Sequence, residues 1–227
     1  VKGRPRSVRG RSGAAFLPAI LLTVFTAACG GIGDPPPDID YYTLEYDPPA
    51  IAADRPISSV LRVDRFGIDP LYDASRIVYR EGRFRRDAYI YHRWWANPAE
   101  MVPHFLARDL RSSGLFQGVF VFDRTLPATH VVEGNVNAFY ELDGPEGWWA
   151  VLSLRISLIA ADEPDVTRKI LFQRDYGRRE PTAQKTPQAL AAAMSRAMAR
   201  TSEAIVKDIY HRLERAAGPD PRGGVAP

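Results

Sequence analysis

The chain has 227 residues, 45% of them hydrophobic and 25% charged, with a formal net charge of +3 and a single cysteine. That hydrophobic fraction belongs to a globular protein rather than a disordered polyion. One cysteine excludes both a disulfide framework and a four-cysteine zinc site. A basic excess would suggest nucleic acid or anionic lipid as partner, but only if the cations sit on the folded part.

They sit at the front. Lys2, Arg4, Arg6, Arg9 and Arg11 come before any acid, the first of which is Asp34. An apolar run follows from Ala14 to Ala28. As a helix it would span about 22 Å, short of the roughly 20 residues that a bilayer crossing takes. A basic start, a short apolar stretch and the small residues Ala27 and Ala28 predict a signal peptide over residues 1–28. Without it, 25 basic residues stand against 27 acids, a net charge of −2. No nucleic-acid partner is then expected.

Thr26-Ala27-Ala28-Cys29 resembles the bacterial lipoprotein box, with Thr26 where leucine is usual. The resemblance implies a covalent N-acyl diacylglycerol on Cys29 and a membrane contact made through that anchor. No other cofactor is expected. Several acyl chains hold a protein at a membrane nearly permanently, where one does not. Residues 29–40, glycine followed by proline, predict a tether that is flexible and then stiff. Gly30 directly follows the cysteine; in enteric-type bacteria an aspartate there retains a lipoprotein at the inner membrane. By analogy, the periplasmic face of the outer membrane is expected.

The folded domain is expected over 41–216, with a disordered tail at 217–227. Tyr41 to Tyr46, aromatic and β-branched, predicts a strand, as do Val60 to Phe66, Arg76 to Arg80 and Asp87 to Trp95. Asn97-Pro98 then supplies an N-cap and a first-turn proline. The helix after it carries Val102, Phe105, Leu106 and Leu110 on one face, tolerates Pro103 near its start and stops at Gly114. A buried strand over Leu115–Phe122 completes a strand–helix–strand passage that predicts a parallel crossover. Two long strands come next, joined by the turn at Asp143-Gly144-Pro145-Glu146-Gly147. In the first, Val132, Gly134, Val136, Ala138 and Leu142 should face the core, opposite Glu133, Asn135, Asn137 and Glu141. In the second, Ala150, Leu152, Leu154, Ile156 and Leu158 face it. A third strand is expected from about Thr167 to Tyr176. Thr186-Pro187 opens the longest helix, whose stripe of Leu190, Met194, Met198, Ile205, Ile209 and Leu213 requires a sheet to pack on. The whole predicts an α/β (α+β) domain: a mixed, largely antiparallel sheet with two principal helices on it.

No nucleotide-binding, metalloprotease or serine-hydrolase motif occurs in the sequence. His92, His104, His130 and His211 are scattered without metal-ligand spacing, and Asp162, Glu163 and Asp165 flank the turn proline Pro164. Neither catalytic nor metal-ligating residues are expected, and the chain reads as no enzyme. Two clusters stand out as interface candidates. Arg83, Arg85 and Arg86 form a basic knot between two strands, able to bind phosphate or an acidic partner. Trp94-Trp95 and Trp148-Trp149 are adjacent pairs on strands, where neighbours face opposite sides. One of each pair can be core and the other an exposed anchor.

The order of segments resembles the ABC-type transport auxiliary lipoprotein family, which includes the lipoprotein of the paraquat-inducible intermembrane transport system. It is carried by Cys29, Tyr41-Tyr42-Thr43-Leu44, Leu61-Arg62-Val63, Ile77-Val78-Tyr79-Arg80 and Trp95-Ala96-Asn97-Pro98. The helix closing on Leu110 to Phe116 continues it, and Ala192-Ala193-Met194 with Ile205 to Leu213 completes it. The resemblance implies a fold similar to the anticodon-binding-like and TolB amino-terminal folds. It implies an accessory or docking role for lipids or hydrophobic compounds moving between inner and outer membrane. The partner would be a mammalian-cell-entry (MCE) domain protein of the periplasm, working with a permease and an ATPase. A homo-oligomer matching a ring-forming MCE partner is compatible with this. A periplasmic lipid-binding carrier and a lipoprotein regulator of cell-wall or outer-membrane assembly are the alternatives.

Overall fold

The structure, a computed structural model, describes residues 37–52 and 55–217. The expected signal peptide, Cys29, most of the tether and the tail lie outside these residues. One long strand, β7 (His130–Gly144), organises the sheet. One of its edges pairs antiparallel with β8 (Gly147–Ala160) from His130 to Gly144. Its other edge is divided among three parallel segments: β2 (Ile57–Val63) at its start, β3 (Gly67–Ile68) in the middle and β4 (Arg76–Glu81) near its end. Strand β5 (Arg85–Trp94) joins β4 as an antiparallel hairpin, and β1 (Asp40–Tyr42) lies parallel to β5. On the other side β6 (Phe116–Val121) lies parallel to β2, and β9 (Ile170–Pro181) pairs antiparallel with β8. The result is an open, mostly antiparallel nine-stranded sheet, accompanied by α1 (Pro98–Ser112), the one-turn α2 (Val166–Lys169) and α3 (Pro187–Ala217). This is the α+β architecture that the alternation of apolar residues predicts.

The helix ends obey local chemistry. The Asn97 side chain accepts the Ala99 N–H at 2.9 Å, and Pro98 occupies the first turn. Gly114, at φ +67°, takes the left-handed position beyond α1 that glycine fills without steric penalty. Thr186 caps α3 by accepting the Ala189 N–H at 3.2 Å. Every residue of the α3 stripe, from Leu190 to Leu213, is buried. At about 1.5–3 kcal/mol for each fully buried aliphatic side chain, this face holds the helix on the sheet.

Four expectations are corrected. The first strand ends at Tyr42 rather than Tyr46, because the chain turns inward: Leu44 is buried, Tyr46 stacks on Phe105 at 5.5 Å, and its hydroxyl donates to the buried Asp109 at 2.7 Å. Thr167 belongs to α2, not to a strand, since Asp165 caps that turn by accepting the Thr167 N–H at 2.9 Å. The passage through α1 is no parallel crossover. Strand β5 opposes β4, whereas β6 shares the direction of β4 through β2 and β7, so β5 and β6 run antiparallel and far apart in the sheet. The parallel neighbour of β6 is β2.

The fourth correction concerns which residues of β7 face inward. Val136 pairs with Leu154, yet Ala138 pairs with Ser153, so Asn137 is an extra residue in the ladder. A bulge of this kind reverses the parity of everything beyond it. Phe139 and Glu141 therefore turn inward in place of Ala138 and Leu142, and Glu141 is only 1% exposed. Its Oε2 accepts the Tyr89 hydroxyl at 3.1 Å, while Oε1 has no partner among the described residues.

Two outcomes are expected from this packing. A Cβ at Gly134 would stand 2.5 Å from Cε2 of Phe66. Gly134→Ala should lower unfolding stability in urea by about 1–3 kcal/mol, the usual range for overpacking, and Phe66→Leu in the same chain should recover part of it. Burial raises the Glu141 carboxyl above its ordinary value, against the Tyr89 hydrogen bond and the Lys185 charge, with Asp143 reinforcing the rise. A carboxyl raised in the folded state stabilises fully below its unfolded pKa, and that stability is lost as pH rises through its folded pKa. Glu141→Gln should therefore move the urea midpoint upward at pH 7 relative to the parent chain, with a smaller gap at pH 4.5.

Candidate functional site

The helices cover one face of the sheet, and the residues that alternate with the core point to the other. Ile77 and Trp94 are buried, so Arg76, Arg93 and Trp95 beside them face away from the helices. Arg80 lies in one row with Arg86 on β5, Leu142 on β7 and Trp149 on β8. The next row holds Tyr140, Val151 and Arg179. This open face collects arginines and rings at the β1–β5–β4 side of the sheet.

Two features of it work against folding. Arg80 stands directly opposite Arg86, and Arg76 directly opposite Arg93. Like charges facing each other across strands are destabilising. Among the described residues, Arg76, Arg80, Arg86, Arg93 and Arg179 make no ion pair, although Arg62, Arg155 and Arg174 elsewhere on the molecule do. Aromatic rings support the cations instead. Tyr72 stacks on Tyr140 with centroids 5.6 Å apart and planes 7° from parallel, and the Arg80 guanidinium lies 5.4 Å above Tyr140. Arg179 lies 4.2 Å above Trp149. Burial raises the Tyr72 hydroxyl above its ordinary value, against the charge of the Arg86 guanidinium. Three donors of this face, Arg80 Nε, Arg93 Nε and Trp149 Nε1, are buried with no partner among the described residues. A cleft of about 280 Å³ opens between the β4–β5 and β7–β8 turns, lined by Arg80, Arg83, Arg179 and Leu142.

The residues singled out from sequence are sorted by this geometry. Trp95, 74% exposed, stands edge-on to Tyr41 at 5.8 Å, and Arg86 and Trp149 belong to the same face. Arg83 caps the hairpin turn, its guanidinium 5.3 Å from the ring of the exposed Phe84. Trp94 is corrected as an interface residue: it is 1% exposed and packs edge-on to Phe139 at 5.1 Å, so it is core. Arg85 pairs with Glu81 at 2.9 Å and points to the helix side, as does Trp148, whose ring lies 6.0 Å from Lys185 Nζ. Arg93, near the basic knot in sequence, lies on this face, whereas Arg76, Arg80, Arg179, Tyr72 and Tyr140 were not anticipated. The spacing of Arg76 and Arg80 in one strand signals a shared face, but only the cross-strand register brings in the others.

The histidines are dispersed. His92 meets Tyr42 at 3.2 Å, His130 meets Thr129 at 2.9 Å, His104 stands edge-on to Phe122, and His211 pairs with Glu214. Among the described residues no three His, Cys, Asp or Glu side chains are placed to share a metal ion, and no helix is long and apolar enough to cross a membrane.

Comparison with known proteins bears on the fold and the family. A protein from Xanthomonas campestris assigned to the family DUF330 superposes with a TM-score of 0.71 at 16% identity, covering 79% of this chain and all of its own. An uncharacterized protein gives 0.59 at 15% identity over 76% of this chain and 99% of its own. A hypothetical protein from Chlamydia trachomatis gives 0.51 at 11% identity over 69% of this chain and 98% of its own. These likenesses establish a shared fold. No curated protein matches the chain in sequence. The family model described as ABC-type transport auxiliary lipoprotein component matches residues 42–206, from the first strand well into α3. The chain belongs to this family of ABC-type transport auxiliary lipoprotein components.

Proposed function

We propose that the protein is a lipid-anchored, non-enzymatic accessory of an ABC-type transport system, and that its arginine–aromatic face receives an acidic segment of a partner protein. The carrying observation is the pair of opposed arginines, Arg76 with Arg93 and Arg80 with Arg86. Strands that place like charges together gain nothing in folding from it, and a bidentate carboxylate partner turns the same arrangement into charge-assisted hydrogen bonds. Exposed Trp95 and Tyr41 beside the pair supply the apolar anchor that such an interface needs.

In this reading the partner is the periplasmic MCE-domain protein of the transporter. Cys29 carries the diacylglycerol and acyl chains that hold the domain at the periplasmic face of the outer membrane. Docking is favoured over lipid carriage because side chains of α1, α3 and the sheet fill the space between helices and sheet. A carrier would need that space open.

Two experiments address the reading. Arg76→Glu, which puts opposite charges across the strands at Arg93, should reduce co-purification of the MCE-domain partner at least about tenfold, the effect of losing one buried charge pair, with the thermal midpoint unchanged or raised. Undiminished association would exclude this face. Cys29→Ala should abolish incorporation of labelled palmitate; persistent labelling would place the lipid elsewhere.

A further inference from the structure

The helix side of the same β4–β5 hairpin has the opposite character. Between Arg76 and Val78 strand β4 has only Ile77, whereas between their partners Arg93 and Ala88 strand β5 has Tyr89, Ile90, Tyr91 and His92. Three surplus residues thus bulge from the ladder, a device that re-aims side chains at sheet edges and beside sites. They form one wall of a cleft of about 440 Å³ whose lining also includes Tyr79, Glu81, Asp87 and Lys185.

The walls are aromatic. Tyr79 and Tyr89 have ring centroids 5.2 Å apart with planes at 60°, and Tyr89 stands edge-on to His92 at 5.8 Å. Ile90 and Tyr91, both exposed, complete the apolar surface. The charges around these rings are predominantly acidic. Glu81 and Asp87 line the cleft. Glu141, the register partner of Tyr79 and acceptor of the Tyr89 hydroxyl, lies behind the rings with Oε1 unpartnered among the described residues. The two cations present are engaged, Lys185 by Asp143 and Arg85 by Glu81. The protein's own ammonium group reports the local field: Lys185 is held above its ordinary value by its hydrogen bond to Asp143 and by the Glu141 and Glu81 carboxylates. Asp87 and Glu81 likewise add to the burial that raises the Tyr79 hydroxyl.

Electron-rich ring faces with carboxylates behind them attract organic cations. We propose that this cleft binds an organic ammonium ion, with Tyr79, Tyr89 and Tyr91 around the cation and Asp87 supplying the opposing charge. The site is independent of the docking face. It uses none of that face's arginines, so either assignment can fail alone.

The test uses the full chain in a maltoside detergent. Choline is titrated against 3,3-dimethylbutan-1-ol, which has the same shape without the charge, and saturation transfer is read at the methyl protons. Choline should saturate and the neutral isostere should bind at least about tenfold more weakly. Tyr91→Ala and Asp87→Asn should each weaken choline by about threefold to tenfold, while Tyr91→Phe, which keeps the ring, should leave it unchanged. Tyr91 and Asp87 are exposed, so both variants should keep the parent melting curve. Equal binding of the isostere, no saturable choline signal, or variants that bind as the parent does would each overturn the proposal. Phosphocholine in the same titration separates the sources. Binding as tight as choline assigns a lipid headgroup, binding about tenfold weaker assigns a free ammonium compound, and both outcomes support an ammonium site.

Discussion

The molecule depends on how the two edges of β7 are used. One edge is committed to β8 over nearly the full strand, which makes the β7–β8 hairpin a rigid spine. The other is shared by β2, β3 and β4, short strands that could not form a stable sheet among themselves. Each of the outer two recruits its own neighbour: β6 against β2, and β5 with β1 beyond it against β4. The sheet therefore grows as two wings from a common spine. Helix α3 packs on β8 and β9 and α1 on β6 and β7, so the core concentrates over the spine and the β4–β5 wing is left with both of its faces open at the tip.

That wing is where sequence and stability part company. Strand alternation assigns Arg76, Arg80, Arg86 and Arg93 to one side and Tyr79, Glu81, Arg85 and Asp87 to the other. A two-stranded ribbon thus separates a basic aromatic surface from an acidic aromatic one. Neither arrangement improves packing, and among the described residues both leave buried polar atoms unpartnered: Arg80 Nε and Arg93 Nε on one side, Glu141 Oε1 on the other. Such groups reduce stability. Departures from local consistency of this kind are expected where a surface is shaped by binding.

Much of this could be read from the residues in order. Asn97-Pro98, Gly114 and Thr186-Pro187 set the helix ends because capping is a short-range matter of side-chain oxygens and backbone φ. The stripe of α3 and the alternation of β8 are equally local. What could not be read depends on pairing. Asn137 looks like an ordinary outward residue until Leu154 and Ser153 are placed opposite its neighbours. Tyr89 to His92 read as a continuous strand until Ile77 proves to be the only residue facing four. Arg83, Arg85 and Arg86 form one cluster in sequence but divide among a turn and two faces. Arg179 and Arg80, which cooperate on one face, lie on strands that only the spine brings together.

The bulge at Asn137 has a consequence for how the chain can change in length. Beyond it, the identity of the inward set (Phe139 and Glu141) rests on a count of residues rather than on their hydrophobicity. Inserting or removing one residue between Asn137 and the turn at Gly144 would exchange the two faces of the spine's far end. Made directly after Asn137, such a change would expose Phe139 and bring Tyr140 inward. Changes of two residues would leave every face as it is and only lengthen or shorten the hairpin. Length variation among relatives of this chain should therefore come in even steps in this segment, and odd steps should appear only where a second bulge restores the parity.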